Sequence, residues 1–373
     1  LLVNNVCIFK NRKPRKEVQE MERYYVDPYI KKCKRIFPEQ GRYGYYRYDM
    51  NENPEGLPED FVKSVLKEIT PEFLATYPEP DIFLNKYAAF IGAGYENVLA
   101  TNGSDMAIRH MLEIFCRKGK KVVTASPSFE MYKVNCSILG LEHVPVSYEL
   151  DLSFDVGKLV NAIDHDTDIV VLLNPNNPVG TAYTEEEADM VIKKAEDNGA
   201  VVIIDEAYHY FYERTFIRKA LEYDNVAVLR TFSKLFSLAA CRLGVVISSK
   251  NIINSIKNSK LTFDANAIAL KFAERIIEEP GLVERLIEVE KQGKEYIMDF
   301  LLEKGYEVMD CLGNYILIKT HGSPQEVADR LKEKEKILVK TFGNPLLSGY
   351  IRVSVGSEKA MEFFAGKFLE ADY

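Results

Sequence analysis

Four short polar stretches of the sequence each follow an apolar run and together carry residue types that can do chemistry. They are Gly103-Ser104-Asp105, Asn174-Pro175-Asn176-Asn177-Pro178, Asp205-Glu206-Ala207-Tyr208 and Thr231-Phe232-Ser233-Lys234. Ligands of an open parallel sheet bind beyond the carboxyl ends of its strands. We therefore expect these stretches to meet at one sheet edge, where they would combine an anion site, an amide, a carboxylate and a lysine.

The expected combination meets the needs of pyridoxal 5′-phosphate (PLP). This cofactor requires a lysine, a carboxylate for its ring nitrogen, donors for its phenolate and a cup for its phosphate. The start of the helix predicted after residue 102 offers free N–H groups and a positive dipole end to the phosphate. The cup is predicted from Gly103, Ser104, Asp105, Ser233 and Arg242, and Thr231 is expected to contact the cofactor beside them.

Lys234, Asp205 and Tyr208 are the predicted catalytic residues. Asp205 follows an apolar run and would keep the pyridine nitrogen protonated, so that the ring withdraws electrons from the substrate. Asn177 and Tyr208 would donate hydrogen bonds to the phenolate oxygen. Lys234 lies in an apolar stretch close in sequence to Arg242, and both desolvation and a like charge lower the pKa of a lysine and leave it nucleophilic.

The elements that must position these residues are indicated by apolar periodicity. Short runs such as Ile169-Val170-Val171-Leu172-Leu173 alternate with helical patterns, which predicts an α/β fold whose large domain has a mostly parallel sheet covered by helices. Long helices and two further strand-like runs follow Asn251 and predict a smaller α+β domain, built from the C-terminus and the N-terminal segment. The predicted boundaries are an N-terminal arm at 1–47, a large PLP-binding domain at 48–255 that contributes to the small domain near its start, and linking helices with the C-terminal small domain at 256–373.

Composition and charge exclude several classes of protein. The 373 residues include 48 Lys and Arg against 56 Asp and Glu, a net charge of −8 that argues against nucleic acid as a partner. No apolar run reaches the roughly 18 residues of a membrane helix. Six cysteines without C-x-x-C spacing, and a start without a basic region before an apolar stretch, predict a cytoplasmic protein with reduced thiols. The basic segment at 10–47 is interpreted as an arm that packs on the acidic body or on a second subunit.

Six motifs occur in the order in which a known enzyme family carries them. Over about residues 48–370 the chain resembles the fold-type I PLP enzymes, and within them the class I and II aminotransferases of the histidinol-phosphate aminotransferase type. The motifs are Asn51-Glu52-Asn53-Pro54, Tyr77-Pro78-Glu79-Pro80, the run from Asn174 to Thr181, Asp205-Glu206-Ala207-Tyr208, the run from Thr231 to Phe236 with Arg242-Leu243-Gly244, and the run from Ile351 to Gly356.

The resemblance implies roles for individual residues. Lys234 would be the Schiff-base lysine, and Asp205 would face the pyridine nitrogen. Phe129 would stack on the ring, and Arg352 would hold an acid group of the substrate. Tyr77 would reach the cofactor phosphate of the neighbouring subunit, so that the active unit is a homodimer.

Two positions depart from the family pattern, and one further residue joins the expected substrate contacts. Lys340 follows Ile337-Leu338-Val339, where the family usually has a second arginine, and a lysine meets a phosphate as a point charge without a fork. Phe129 stands where Tyr is common. Asn53, from the first motif, is the remaining expected substrate contact.

The predicted function is PLP-dependent transamination between a small, phosphorylated amino compound and a keto-acid or amino-acid partner. A PLP-dependent phospho-amino-acid decarboxylase, similar to threonine-phosphate decarboxylase, would share almost every residue named above and stays open. A non-catalytic PLP-binding module is a third possibility. A nicotinamide-dependent oxidoreductase is disfavoured because Gly92-Ala93-Gly94 lacks a third glycine and precedes a strand. The five histidines show no ligand spacing, so no metal site is expected.

Overall fold

A seven-stranded and a four-stranded β-sheet organise the chain into a larger and a smaller lobe. The computed structural model describes residues 24–33 and 41–372. The strands are β1 (Tyr46–Arg47), β2 (Val98–Thr101), β3 (Lys121–Ser126), β4 (Glu142–Ser147), β5 (Thr167–Leu173), β6 (Val201–Asp205), β7 (Val226–Thr231), β8 (Gly244–Ser248), β9 (Val308–Met309), β10 (Tyr315–Lys319), β11 (Ile337–Leu338), β12 (Lys340–Thr341) and β13 (Tyr350–Ser354).

Local sequence explains where several helices begin and end. Helix α8 starts after Thr184, whose hydroxyl accepts from the Glu187 N–H while the Glu187 carboxylate accepts from the Thr184 N–H. Pro280 and Gly281 separate α11 from α12, since Gly281 adopts a left-handed conformation with φ +69°. The helices are α1 (Pro28–Lys32), α2 (Glu59–Leu66), α3 (Pro71–Ala75), α4 (Asp81–Ile91), α5 (Gly103–Phe115), α6 (Glu130–Leu139), α7 (Val156–Asn161), α8 (Glu185–Asp197), α9 (Ile217–Glu222), α10 (Lys250–Ser259), α11 (Ala267–Glu278), α12 (Leu282–Glu303), α13 (Pro324–Glu335) and α14 (Glu358–Ala371).

The larger lobe is built on a seven-stranded sheet of order β2-β8-β7-β6-β5-β3-β4. Strand β8 is antiparallel to both of its neighbours, and the other adjacent pairs are parallel. Alternate residues of β5 enter different cores, with Val170 and Leu172 in one and Ile169 and Val171 in the other. Because both faces are covered, every residue of β5 is buried. This architecture confirms the predicted α/β fold with a mostly parallel sheet.

The smaller lobe has an antiparallel sheet of order β12-β13-β10-β9. Its core contains Ile316 and Ile351 from the sheet together with Ile297 of α12 and Phe364 of α14. The short strand β1 pairs in parallel with β11, which attaches the N-terminal segment to this lobe as predicted. Most of the predicted arm at 1–47 lies outside the described residues. Within 24–33 and 41–372, no helix combines the length and the apolarity that a membrane crossing requires.

Helix α12 buries an acidic residue inside the smaller lobe. Glu290 is 3% exposed, and burial raises the pKa of its carboxyl group to about 8, with Glu55 adding to the shift. Among the described residues, neither carboxyl oxygen of Glu290 nor Oδ1 of the neighbouring Asn314 has a hydrogen-bond partner. The Asn314 Nδ2 group already donates to the Asn51 carbonyl at 3.1 Å. A protonated Glu290 avoids the cost of a buried charge without a partner, whereas an ionised one does not.

Replacing Glu290 with Gln should therefore change how stability depends on pH. The folded-state pKa of about 8 lies above the ordinary value of 4.5 that the unfolded chain would have. The wild-type protein therefore loses stability as the pH rises from the unfolded pKa to the folded pKa. Glu290→Gln removes that loss, and we expect its Tm to exceed the wild-type Tm by a few degrees at pH 8 and to match it near pH 5. Thermal unfolding at both pH values measures the difference. A Tm difference that is the same at pH 5 and pH 8 would contradict the buried, protonated Glu290.

Candidate active site

A cleft of about 700 Å³ opens at the carboxyl ends of the parallel strands, between the two lobes. Residues that follow β2, β3, β5, β6 and β7 line one side, and residues of β12 and β13 line the other. The predicted residues that reach the cleft are Ser104, Asp105, Phe129, Asn177, Asp205, Tyr208, Thr231, Ser233, Lys234, Arg242, Lys340 and Arg352.

The start of α5 and the Arg242 side chain form a tight cradle at one end of the cleft. Arg242 donates from Nη2 to Asp105 Oδ2 at 2.9 Å and from Nη1 to Ser233 Oγ at 3.5 Å. Gly103 has φ +74°, and a Cβ atom there would lie 2.6 Å from Arg242 Nη2. The Thr231 hydroxyl accepts from the Ser233 N–H at 3.1 Å and holds the loop beside them. Free N–H groups, a helix dipole and a guanidinium together suit a phosphate group.

Asp205 ends β6 as a buried carboxylate with few donors. Its Oδ2 accepts from the Tyr132 hydroxyl at 2.9 Å, and its Oδ1 accepts from the Ala207 N–H at 3.2 Å. Burial raises the pKa of Asp205 to about 6, although both hydrogen bonds lower it. A carboxylate in this setting gains most from a cationic N–H partner, which a protonated pyridine nitrogen supplies.

Lys234 follows β7 and lies half-buried in the cleft. Its Nζ donates to the Met50 carbonyl at 2.9 Å and lies 5.7 Å from the centre of the Tyr208 ring. Burial, and then the positive charge of Arg352, lower the pKa of Lys234 to about 8. A larger fraction of this amine is therefore neutral and nucleophilic than in an ordinary lysine.

The Tyr208 hydroxyl is held so that its own proton faces the cleft. It accepts from Asn51 Nδ2 at 2.9 Å and from Asn177 Nδ2 at 3.0 Å. With both acceptor positions filled, the hydroxyl is left to donate. Asn177 Oδ1 in turn accepts from Arg352 Nη1 at 2.5 Å, so that the amide links the two lobes.

Arg352 and Lys340 place two cations side by side on the smaller lobe. They lie directly opposite each other in the antiparallel β12–β13 pair and share a face of the sheet. Arg352 also donates from Nη2 to the Asp49 carbonyl at 2.7 Å. Its buried Nε has no hydrogen-bond partner among the described residues. The pair suits an acidic or phosphorylated group that enters the cleft.

Two predicted residues lie away from this cleft. The Asn53 side chain closes a turn, with Oδ1 accepting from the Glu55 and Gly56 N–H groups at 3.0 and 3.2 Å. Asn51, two residues earlier, lines the cleft, and the substrate contact of Asn53 stays a prediction. Tyr77 is 72% exposed and stacks on Phe263 with ring centroids 4.3 Å apart.

Sequence reasoning missed Asn51, Met50 and Tyr132. Asn51 belongs to the motif that contains Asn53, and its left-handed backbone with φ +54° aims its side chain at Tyr208. Tyr132 is three residues beyond Phe129 on the first turn of α6, a helical spacing that could have indicated a second residue directed at the same site. Within residues 24–33 and 41–372 no His, Cys, Asp and Glu side chains cluster as metal ligands.

The fold and the cleft define a class of protein. A lysine with a lowered pKa, a buried carboxylate and an anion cradle fit the amine linkage, ring nitrogen and phosphate of PLP, on a sheet of the fold-type I kind. A histidinol-phosphate aminotransferase from Sinorhizobium meliloti, solved in complex with pyridoxal-5'-phosphate, shares this fold with a TM-score of 0.84. That protein is 20% identical, with 95% of this chain and 98% of that chain covered.

Sequence comparison identifies the family. The model for aminotransferase class I and II matches residues 46–368. Histidinol-phosphate aminotransferases from Thermoanaerobacter sp. (strain X514) and Pyrococcus furiosus are each 31% identical, covering 85% and 84% of this chain and 90% and 89% of those proteins. The chain therefore belongs to the class I and II aminotransferases, and it is a PLP-dependent transaminase, as predicted.

Tyr132→Phe tests the hydrogen bond that supports the Asp205 carboxylate. Removing the hydroxyl takes away a donor that favours the charged form, so the pKa of Asp205 rises above its value of about 6. A lost hydrogen bond to a charged group is worth on the order of 1.5–3 kcal/mol. We expect PLP affinity to fall about 10-fold or more near neutral pH, with the acid limit of tight binding shifted upwards by about one pH unit. Titration of the apoenzyme with PLP between pH 5 and 9 measures both.

Tyr183→Phe is the matched control for this variant. Tyr183 is also a buried tyrosine, and its hydroxyl has no hydrogen-bond partner among the described residues. The control should bind PLP as the wild type does. An unchanged acid limit in Tyr132→Phe, or an equal shift in the control, would refute a specific role for the Tyr132 hydroxyl.

Proposed function

We propose that the protein transfers the amino group of a small, phosphorylated amine to a keto acid, with Lys234 as the catalytic base. The observation that carries the proposal is the presence in one cleft of Lys234, with its pKa near 8, and the buried Asp205. When bound, PLP supplies an electron sink for the negative charge that develops at the substrate Cα. Neutral Lys234 would remove the Cα proton at Nζ and return it to the cofactor carbon on the other side of the substrate nitrogen.

In this proposal the other residues hold the cofactor and orient its ring. Asp205 keeps a proton on the ring nitrogen by remaining ionised beside it. Tyr208 donates its hydroxyl proton to the phenolate oxygen, supported by the two amides that fill its acceptor positions. The cradle of Gly103, Ser104, Asp105, Thr231, Ser233 and Arg242 holds the cofactor phosphate, and Phe129 stacks on the ring.

A phosphorylated substrate is supported by charge at the mouth of the cleft. Arg352 and Lys340 share one sheet face and both line the cleft, so that one dianionic group can contact both. The relatives named above are histidinol-phosphate aminotransferases, whose name specifies a phosphorylated compound. We infer that the phosphate of the substrate lies between these two side chains.

A homodimer completes the proposed active unit. Tyr77 and Phe263 form an exposed aromatic pair, with the exposed Leu74 and Leu261 nearby in sequence. Large exposed apolar side chains of this kind are typical of a surface that another protein covers. We propose that a second copy covers them, that Tyr77 reaches the partner's cofactor phosphate, and that the enzyme works in the cytoplasm.

The proposed reaction is tested with purified holoenzyme, candidate phosphorylated amines and amino acids, and 2-oxoglutarate. We expect glutamate to form without CO2, and the phosphorylated compound to be preferred over its dephosphorylated form. Lys340→Met should reduce this preference by about 10-fold or more, since it removes one cation from the proposed phosphate contact. Coupled glutamate assays and CO2 measurements on the same samples report both results.

Lys359→Met is the control, because Lys359 is exposed on α14 and does not line the cleft. It should retain the wild-type preference. CO2 release in the absence of a keto acid would select the decarboxylase instead. A preference for the phosphorylated compound that survives intact in Lys340→Met would refute the assigned phosphate contact.

A further inference from the structure

Residues 49–52, here called the contact segment, meet three residues of the proposed active site through consecutive positions. The segment supplies two backbone carbonyls and one side-chain amide to the cleft. The contacts are Asp49 carbonyl with Arg352 Nη2 at 2.7 Å, Met50 carbonyl with Lys234 Nζ at 2.9 Å, and Asn51 Nδ2 with Tyr208 Oη at 2.9 Å. A small shift of this segment would therefore move the partners of three functional groups together.

Arg42 clamps both ends of the contact segment. Its guanidinium forms a fork on Glu52, with Nη1 to Oε1 at 3.0 Å and Nη2 to Oε2 at 3.1 Å. The same Nη2 donates to Asp49 Oδ1 at 2.6 Å. Arg47 contributes a single, longer contact to Glu52, from Nε at 3.4 Å. The two parallel hydrogen bonds from the planar guanidinium fix the orientation of the Glu52 carboxylate. A lysine, with a single ammonium group, could not form this pair of bonds.

The clamp also governs a charge beside Lys234. Glu52 lines the cleft, and its negative charge raises the pKa of Lys234 against the larger effect of burial. The carboxylates of Asp49 and Glu52 are 15% and 23% exposed, so their charges are only partly screened by water. Arg42 forms ion pairs with both carboxylates and so offsets both charges.

Neither the family match nor the predicted motifs include Arg42. The match to the aminotransferase model begins at residue 46, four residues beyond Arg42. Arg42 follows Gly41, whose φ of +84° turns the chain into the short 3-10 turn Arg42–Gly44. The turn that carries Arg42 therefore lies outside the matched family region and contacts the contact segment within it.

We propose that Arg42 is a positioning residue for transamination, which holds the contact segment in register with Lys234, Tyr208 and Arg352 by clamping Asp49 and Glu52. The inference rests on the proposed function of those three residues. Arg42 does not line the cleft, but through the contact segment it would set the geometry of Lys234, Tyr208 and Arg352. It would also set how strongly the Glu52 charge acts on Lys234.

Arg42→Met and Arg42→Lys test the clamp in the full-length holoenzyme. Arg42→Met should lower kcat/KM about 10- to 100-fold, mainly through kcat, since small misplacements of reacting groups cost this much. Arg42→Lys should lose activity to a smaller extent, because it retains the charge without the fork. With Glu52 no longer offset, the pH titration of the bound-cofactor absorbance should move to higher pH in Arg42→Met.

Arg218→Met is the control, because the Arg218 side chain is 83% exposed and forms an i,i+4 pair with Glu222 on α9, far from Arg42 in sequence. It should leave kcat, KM and the titration unchanged.

Three results would overturn the proposal: unchanged kcat/KM in Arg42→Met, a lowered Tm with an unmoved titration, or full recovery of wild-type kinetics by Arg42→Lys. If Arg42→Met does not fold, the kcat and titration of Arg42→Lys decide. Failure of the proposed function would be visible in the wild-type enzyme, which would show no turnover.

Discussion

Burial of two ionisable groups at the carboxyl edge of the parallel strands is the constraint on which the site depends. Removal from water raises the pKa of Asp205 and lowers the pKa of Lys234, so each group is biased towards its neutral form. A cationic N–H partner would therefore stabilise the Asp205 carboxylate, and a covalent bond to a carbonyl carbon would engage the neutral Lys234 amine. A buried acid that ends one strand and an amine that follows the next strand would be costly without such a partner.

The two lobes meet at this site through polar contacts and through a shared apolar cluster, which joins Val179 and Tyr208 of the larger lobe to Tyr315 and Leu317 of the smaller one. Asn177, on the larger lobe, accepts from Arg352 of the smaller lobe at 2.5 Å, and the contact segment at 49–52 joins both. Because Lys340 faces the cleft from the same sheet as Arg352, a substrate anion can bind to the smaller lobe while the reacting carbon lies over the larger one. With its anionic group bound to the smaller lobe and its reacting carbon over the larger lobe, a substrate would have one orientation in the cleft.

Much of the fold and of the cleft could be predicted, because continuous apolar runs indicate strands covered on both faces and the polar residues after them indicate where those strands end. Lys234, Asp205 and Asn177 were predicted in this way, and all three line one cleft. The motif that contains Asn51 and Asn53 does not tell which asparagine lines the cleft, since that depends on the left-handed backbone of Asn51 and on the turn that Asn53 closes. Tyr132 and Arg42 act through contacts 73 and 10 residues away in sequence, which only the folded chain brings together.

The central claim is that the Lys234 amine holds the cofactor, and borohydride reduction followed by peptide mass spectrometry tests it most directly. Holoenzyme saturated with PLP is reduced and digested, and the modified lysine is located by fragmentation. The account predicts a phosphopyridoxyl group on Lys234 and its loss in Lys234→Ala. A stable adduct on a different lysine, or none in the saturated wild-type enzyme, would contradict it.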